Sequence, residues 1–411
     1  MNNKKHLTKN MMDDLMYIPK QLLENNKREL FESVLRCITQ SDPKDIIRHE
    51  YIVDEHTWIV YHSPTFKITL DVTDHHYHCF FNKLTGLNVR FGKTIDDDPN
   101  CCELGPEILD LEISVNGCVP VKGSENCKYC YKNNTNRQPF NMTFETFTKI
   151  IAKFPINLSQ IAFGITGLQT NPDLPKMFEY CRQIGIIPNL TTVGADLNET
   201  TKDMICKYAG ACAVSCYTGA KELCYSTIKE LHSYAAEKYN RNLHVNMHIV
   251  VSKANLEHVR EVLKDIADKK VEGLKSVVFL RIKPVGRAAK QDCTVPTEIY
   301  EELVNYCMEH EISFGFDSCS AMSVMNVLKK IGKPELCSSC ECCESSLLSS
   351  YINVKGEYCS CSFVENRNDI IVPLNVLNYK TFTELWNSEA VKTVRQKTIN
   401  CETSCPWYNL D

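Results

Sequence analysis

The sequence has no apolar run near the roughly 18 residues that a membrane-crossing helix needs. Its opening stretch, MNNKKHLTKNMMDDLMYIPK, holds basic residues with no apolar segment behind them, which argues against a secretory signal. Positive charge is not in excess: 46 Lys and Arg against 51 Asp and Glu leave a formal net charge of −5. That balance gives no support for a general nucleic-acid or anionic-membrane surface. There is no internal repeat and no long low-complexity linker. The expectation is a cytoplasmic protein with neither a membrane nor a general nucleic-acid partner.

Cysteine, by contrast, is abundant. The chain has 23 cysteines in 411 residues, an odd number without an export signal, which disfavours a disulfide framework. Their spacing is uneven. One tight group is Cys118, Cys127 and Cys130; another runs from Cys319 to Cys361, with Cys401 and Cys405 near the end. Thiolates grouped this way in a reducing compartment read as ligands for iron–sulfur clusters or zinc. Many of the others fall on apolar faces and read as small core residues.

An apolar fraction of 43% and a length of 411 residues suit one large domain with smaller appendages. Residues 1–107 read as an N-terminal α+β region. Alternation in Trp58-Ile-Val-Tyr61 and Phe66-Lys-Ile-Thr-Leu70 predicts antiparallel strands behind a short helical start. His75, His76 and His78 there read as a polar turn or strand face, with metal binding as the alternative. No chemistry is assigned to the region.

Residues 108–316 alternate between strand and helix. The predicted strands are Leu109–Val115, Gln160–Gly164, Ile187–Thr192, Cys212–Tyr217, Leu243–Val251 and Ser276–Lys283. Amphipathic helices lie between them; one carries Phe144, Phe147, Ile150, Ile151 and Phe154 at the spacing of a buried stripe. Thr143 and Asn198 look like helix starts. Repeated strand–helix units predict a right-handed α/β architecture with a parallel sheet, open or curled toward a barrel, and ligands at the carboxyl ends of its strands. The first cysteine group follows the first strand, at that rim. From about residue 317 to 411 the chain turns cysteine- and serine-rich, with a hairpin over Ser350–Tyr358 turning near Lys355-Gly356 and a last helix from Phe382 to about Lys397.

Three thiolates in one loop hold three irons of a cubane and leave the fourth open, whereas electron-transfer clusters take four cysteines. A zinc ion borrowing a fourth ligand, for instance His248, is the alternative. The strand running into Cys118…Cys127-Lys-Tyr129-Cys130, with an aromatic before the last cysteine, resembles the radical S-adenosylmethionine (SAM) superfamily. Eight residues, not the usual three, separate Cys118 from Cys127.

Further segments resemble that family in the same order. Gln160-Ile-Ala-Phe-Gly-Ile-Thr-Gly-Leu-Gln-Thr-Asn-Pro-Asp-Leu174 is similar to the second-strand segment that binds the methionine amino group. Its usual Gly-Gly-Glu is replaced by Gly164-Ile-Thr166-Gly167-Leu-Gln169, so amine binding would rest on backbone carbonyls, Thr166 or Gln169. Gly164 and Gly167 equally suit a tight strand-to-helix turn. Ala213-Val-Ser215 resembles the strand that reaches the cofactor's ribose, Met247-His-Ile-Val-Val-Ser252 the strand near its adenine, and Lys283-Pro-Val-Gly-Arg287 the sixth-strand ending. Ser215 and Ser252 alone are also ordinary buried strand hydroxyls.

The tail is similar to the SPASM/twitch extensions of these enzymes, in which cysteines flank a small hairpin. Cys343 and Cys361 flank it here, and Phe382-Thr-Glu-Leu-Trp386…Cys401-Glu-Thr-Ser-Cys405-Pro-Trp407 continues the likeness. The resemblance implies a partial (β/α)6 TIM-like barrel with a small cysteine-rich C-terminal domain. It implies a [4Fe–4S] cluster on Cys118, Cys127 and Cys130, S-adenosylmethionine held near Tyr129, Gly164, Thr166, Gly167, Gln169, Ser215 and Ser252, and one auxiliary [4Fe–4S] cluster. Ligands for the auxiliary cluster would come from Cys343 and Cys361, then Cys405, then Cys319 or Cys401; Cys337, Cys340, Cys342 and Cys359 would feed a second cluster or stand by. It also implies hydrogen abstraction by a 5′-deoxyadenosyl radical from a peptide, protein or small-molecule substrate, with an external reductant such as flavodoxin or ferredoxin. A non-catalytic zinc or iron–sulfur protein that binds a partner is the reading from another class.

Overall fold

The computed structural model describes residues 8–119, 121, 129–134 and 138–410. Helices α1 (Lys9–Glu24) and α2 (Arg28–Thr39) precede an antiparallel sheet of β1 (Ile47–Val53), β2 (His56–His62), β3 (Phe66–Asp71), β4 (His78–Asn82) and β5 (Asn88–Phe91), in that spatial order. Alternation along β2 splits its side chains between two cores. Ile59 and Tyr61 pack with Leu15, Ile18 and Leu22 of α1. Trp58 and Val60 pack on the opposite face with Cys102, Leu104 and Leu348. Covering on both faces explains why every residue of β3 and β4 is buried. Buried Lys67 crosses the junction and donates to the Leu158 carbonyl.

The main sheet begins at β6 (Ile108–Glu112) and continues through α3 (Phe144–Ile151), β7 (Gln160–Gly164), α4 (Leu174–Gln183), β8 (Ile187–Thr192) and α5 (Glu199–Tyr208). There follow β9 (Ala211–Ser215), α6 (Lys221–Tyr239), β10 (His244–Val251), α7 (Leu256–Ala267), β11 (Leu274–Arg281), α8 (Thr297–Glu309), β12 (Phe314–Phe316) and α9 (Ala321–Lys330). Strands β6 to β12 are all parallel and lie side by side in chain order. The expected helix starts are present: Thr143 Oγ1 accepts from the Thr146 amide at 3.1 Å, and Asn198 and Thr201 form a reciprocal capping box. Aliphatic strand faces and helix stripes share one core, with Leu109, Phe147, Ile161, Phe178, Val214, Ile228 and Val277 almost inaccessible.

The structure differs from the sequence reading in three places. The parallel series has a seventh strand, β12; its Phe-Gly-Phe run is too short to show an alternating pattern. The tail hairpin, β13 (Ser349–Ile352) and β14 (Glu357–Cys359), does not stand apart: β13 pairs parallel with β6, and β15 (Leu374–Asn375) follows β14, so one ten-stranded sheet runs through both regions. The open edge of the first parallel strand supplies the physical reason, because its backbone groups need partners. Asn353 builds the hairpin turn, its Oδ1 accepting from the Lys355 and Glu357 amides, with Gly356 at φ +80° as anticipated. Finally, the last helix is two, α10 (Phe382–Trp386) and α11 (Glu389–Ile399). Arg395 locks the break by donating to the carbonyls of Ser346 and Trp386.

Candidate functional site

One end of the parallel sheet holds a cavity of about 540 Å³. Residues on or just beyond every strand from β6 to β12 line it, among them Glu112, Phe163, Thr191, Ser215, His248, Arg281 and Asp317. They sit at carboxyl strand ends, where side chains are free of the sheet and helices begin.

The first cysteine loop forms one wall. Cys118 and Cys130 both line the cavity, with Tyr129, Tyr131 and Lys132; Cys127 lies outside the described residues. Backbone contacts fix this loop. The Val119 amide donates to the Thr166 carbonyl at 3.2 Å, and the Arg287 amide donates to the Cys130 carbonyl at 3.0 Å. Gly286, at φ +60°, lies so close that a Cβ would meet the Tyr131 and Cys130 carbonyl oxygens at 2.3 and 2.5 Å. The Lys283-Pro-Val-Gly-Arg287 turn is thus a backbone clamp on the cysteine loop.

Lys132 pins the same loop from the other side. Its Nζ lies 3.3 Å from Glu112 Oε1 on β6 and 2.6 Å from Glu365 Oε2, bonds the Tyr351 hydroxyl, and sits 4.2 Å from that ring's centroid. Burial works against its charge, but Tyr131, Glu112 and Glu365 outweigh it and raise its pKa. Sequence reasoning passed over Lys132; its signal is its place two residues beyond the last cysteine of the motif.

Of the residues expected around a cofactor, Tyr129, Gly164, Thr166, Gly167 and Ser215 line the cavity. Gly164 and Gly167 owe their smallness to crowding. A Cβ at Gly164 would lie 3.1 Å from the Glu112 Cα, and one at Gly167 would lie 2.3 Å from Val119 Cγ2. Thr166 Oγ1 shares a hydroxyl cluster with Ser114 and Thr170, each 3.2 Å away. Two expected residues are not among the lining ones. Gln169 turns to the loop after β8, its amide 3.0 Å from Asp196 Oδ2 and its Nε2 2.7 Å from the Asp196 carbonyl. Ser252 is buried and spends its hydroxyl on Asn255 Oδ1 at 2.9 Å, capping the 3-10 turn Lys253–Asn255.

Electrostatics divide the cavity. Asp110 is open to the cavity yet ringed by protein, and this burial pushes its carboxyl up to about 6 although Lys132 pulls it down. Burial lowers His248 to about 4, so its imidazole is neutral near pH 7; its Nδ1 lies 3.5 Å from Thr191 Oγ1. Lys283 and Asp317 form a buried ion pair, and Lys283 lies 4.7 Å from the Phe363 ring centroid. Burial opposes the Lys283 charge, while Asp317 and Cys319 hold its pKa above the usual lysine range.

The lining also includes Ser318, Cys319, Ser362 and Phe363, and the Phe363 ring packs 4.6 Å from that of Tyr131. Cys319 belongs to a group in which Cys319, Cys343, Cys361 and Cys405 act electrostatically on one another. Burial, reinforced by these neighbouring thiols, pushes Cys319 to about 11, Cys361 to about 12 and Cys343 well above the usual thiol range. Such sulfurs ionise only when a nearby cation stabilises them.

Three of these four sulfurs accept hydrogen bonds from backbone amides. The Phe363 amide donates to Cys361 Sγ and the Trp407 amide to Cys405 Sγ, each at 3.5 Å, and a Ser345 backbone bond lowers Cys343. Sulfur that accepts from N–H suits a thiolate held by a metal. Cys206, Cys224 and Cys337 instead donate S–H to the carbonyls of Leu231, Val214 and Met325, as neutral thiols do. Cys401, the other tail residue expected near a cluster, also donates, to the Thr403 carbonyl at 3.2 Å. Of the two candidates left open for a fourth position, Cys319 lines the cavity and acts electrostatically on Cys343 and Cys361. Cys337, Cys340 and Cys342 interact among themselves.

No family model and no curated protein matches the chain. Among solved structures 34 chains match. Streptococcus suis SuiB bound to precursor peptide SuiA superposes with a TM-score of 0.63 at 12% identity, covering 85% of this chain and 98% of that one. SuiB bound to S-adenosylmethionine gives 0.57 at 13% identity, covering 74% of this chain and 76% of that one. The fold, a mixed α/β architecture built on a parallel sheet, is shared with these proteins.

Proposed function

We propose that the chain is a radical SAM enzyme that modifies a peptide or protein, its parallel strands curling into a partial (β/α)6-type barrel extended by β12. The observation that carries this reading is a cavity lined both by Cys118 and Cys130 and by Cys319 of the four-cysteine group. SuiB, whose fold this chain shares, has been solved both with S-adenosylmethionine and with a precursor peptide. The donor sets fit the cofactors: three cysteines in one loop suit a [4Fe–4S] cluster with an open iron, and four partly buried thiols, three of them accepting from backbone amides, suit a closed auxiliary one.

Cys118, Cys127 and Cys130 would hold the first cluster, and Cys319, Cys343, Cys361 and Cys405 the second. When bound and reduced, the first cluster supplies one-electron cleavage of S-adenosylmethionine to a 5′-deoxyadenosyl radical that takes hydrogen from substrate. The chain's own residues bind and orient. Thr166, the Gly164–Gly167 backbone and Ser215 offer polar atoms to the cofactor, and Tyr129 an aromatic edge. His248 stays neutral and serves as hydrogen-bond partner without adding charge beside the cofactor. Asp110, whose carboxyl titrates near 6, can hold or release a proton at the substrate side. Cys319 lines the cavity, so an auxiliary cluster that it helped to hold would border the substrate space, and an external reductant such as flavodoxin or ferredoxin would supply the electron that the first cluster needs.

Anaerobic reconstitution followed by incubation with S-adenosylmethionine and dithionite should yield 5′-deoxyadenosine, and Cys127→Ala should not. A colourless, zinc-loaded protein without this product would overturn the reading in favour of a partner-binding zinc protein. Hydrogen transfer to the product from a small metabolite, with none from any peptide, would overturn the substrate class alone.

A further inference from the structure

The N-terminal sheet carries a second group of metal-capable side chains, remote from the thiols. His56 opens β2, Asp71 closes β3, and Asp74 and His76 occupy the turn to β4. One atom from each converges on the others. His76 Nδ1 lies 2.6 Å from both Asp71 Oδ2 and Asp74 Oδ1; His56 Nδ1 lies 3.3 Å from the first and 3.7 Å from the second. Tetrahedral ligands about 2.0–2.1 Å from an ion stand roughly 3.3 Å apart, the scale of this set. Among the described residues no other group of His, Cys, Asp and Glu gathers three ligand atoms so closely.

Hydrogen bonds around the group leave the ligating atoms aimed at one point. His76 Nε2 lies 3.0 Å from Glu103 Oε2; without an ion the ring donates from both nitrogens, and its pKa is raised to about 9, first by Glu103, whereas an ion would replace the Nδ1 proton and leave Glu103 holding the proton on Nε2. A carboxylate behind a histidine in this way is the usual support of a metal-bound imidazole. Asp71 has no exposed side-chain surface; its Oδ1 accepts from the Thr73 amide at 3.1 Å, and its Oδ2, which also accepts from the Asp74 amide at 3.4 Å, faces the imidazoles. His75 takes φ +58°, the left-handed turn that swings His76 inward. His75 and His78 themselves stack on Tyr17 and stay outside the group. A proton on either imidazole serves one or two of these contacts, whereas an ion at their centre serves all four atoms and balances both carboxylates.

We propose that His56, Asp71, Asp74 and His76 bind one divalent first-row transition ion, with Glu103 as the support of His76. Two nitrogens and two oxygens suit manganese or zinc, and no thiol takes part. The ion ties the N-terminal sheet to the segment at 101–107 that leads into β6, because Glu103 belongs to that segment and Asn387 of the tail donates to its carbonyl at 2.7 Å. This site does not depend on the radical chemistry.

The test uses the full-length, anaerobically purified protein with its clusters in place. Free Mn²⁺ is followed by electron paramagnetic resonance, since manganese competes poorly for thiolates, and Zn²⁺ content is compared in parallel after dialysis. The wild type should bind one equivalent of ion more than the His56→Ala/His76→Ala double variant. Glu103→Gln should keep that stoichiometry but weaken affinity by about 10–100-fold. His56→Ala alone, at a half-exposed position, serves as the milder variant should the double one fold poorly by circular dichroism; it should weaken binding at least about tenfold. The proposal is overturned if neither ion binds wild type better than the folded variants, which would make the group an imidazolium–carboxylate network.

Discussion

Replacing Lys132 by methionine removes the cation that holds the cysteine loop against β6 and the tail. The side chains of Lys132, Glu112 and Glu365 are 11%, 4% and 10% exposed, so little water remains to screen them. With an effective dielectric of about 20, unit charges at the observed 3.3 and 2.6 Å attract by about 5 and 6 kcal/mol. Desolvation cancels most of that in the intact network, but taking away the cation alone leaves two buried carboxylates without it, although the Val354 amide still donates to Glu112 and the Tyr351 hydroxyl to Glu365. The expected loss is about 3–5 kcal/mol. Urea unfolding followed by near-ultraviolet circular dichroism should show it, and iron content should fall by the complement of the first cluster. Lys132→Met/Glu112→Gln should recover part of the stability, because the amide needs no counter-charge. A Lys132→Met protein with full iron and stability within about 1 kcal/mol of wild type would refute the reasoning.

Three other outcomes are expected. Gly286→Ala forces a Cβ onto the Cys130 and Tyr131 carbonyls, so reconstituted protein should lose the first cluster while the 400 nm absorbance of the second persists; intact loading of both would contradict the clamp. Cys319→Ala, Cys343→Ala, Cys361→Ala and Cys405→Ala should each abolish the auxiliary cluster, whereas Cys401→Ala should leave iron content unchanged; equal losses across all five would undo the assignment of Cys319 over Cys401. His248 stays neutral in the folded protein down to about pH 4, while the unfolded chain protonates near 6.5. Stability from this group is therefore present above pH 6.5 and lost as the pH falls toward 4, by at most about 3 kcal/mol; His248→Gln should flatten thermal melts across that window relative to wild type.

Much of this was legible in the sequence because strong periodicity marks buried strands and amphipathic helices. The strands Gln160–Gly164 and Ile187–Thr192 occur as read, and the cysteine loop falls at the sheet's carboxyl rim. What was not legible depends on contacts between distant segments. Nothing near Ser349 announces that it will pair with Ile108, since parallel pairing across so long a separation leaves no local pattern. Cys319 and Cys401 were indistinguishable by spacing; which of them lines the cavity follows only from how the chain folds around each. Gln169 was matched by position within a motif, but a long polar side chain swings to whichever partner lies nearest, here Asp196. The run His75, His76 and His78 reads as a polar turn or strand face with metal binding as the alternative, and sequence does not show that His76 meets His56 and Asp71, which close on it from other strands.

The pairing of Ser349 with Ile108 also sets a timetable for biosynthesis. One margin of β6 finds β7 soon after both leave the ribosome, but its other margin waits for the tail. At roughly 5–20 residues per second, that interval lasts about 12–50 s. Throughout it the nascent chain displays an unsatisfied strand beside half-assembled thiols, an invitation to aggregation and mismetallation. Production in hosts with slowed translation should therefore lower the soluble yield, and chaperones that shield exposed strands should raise it.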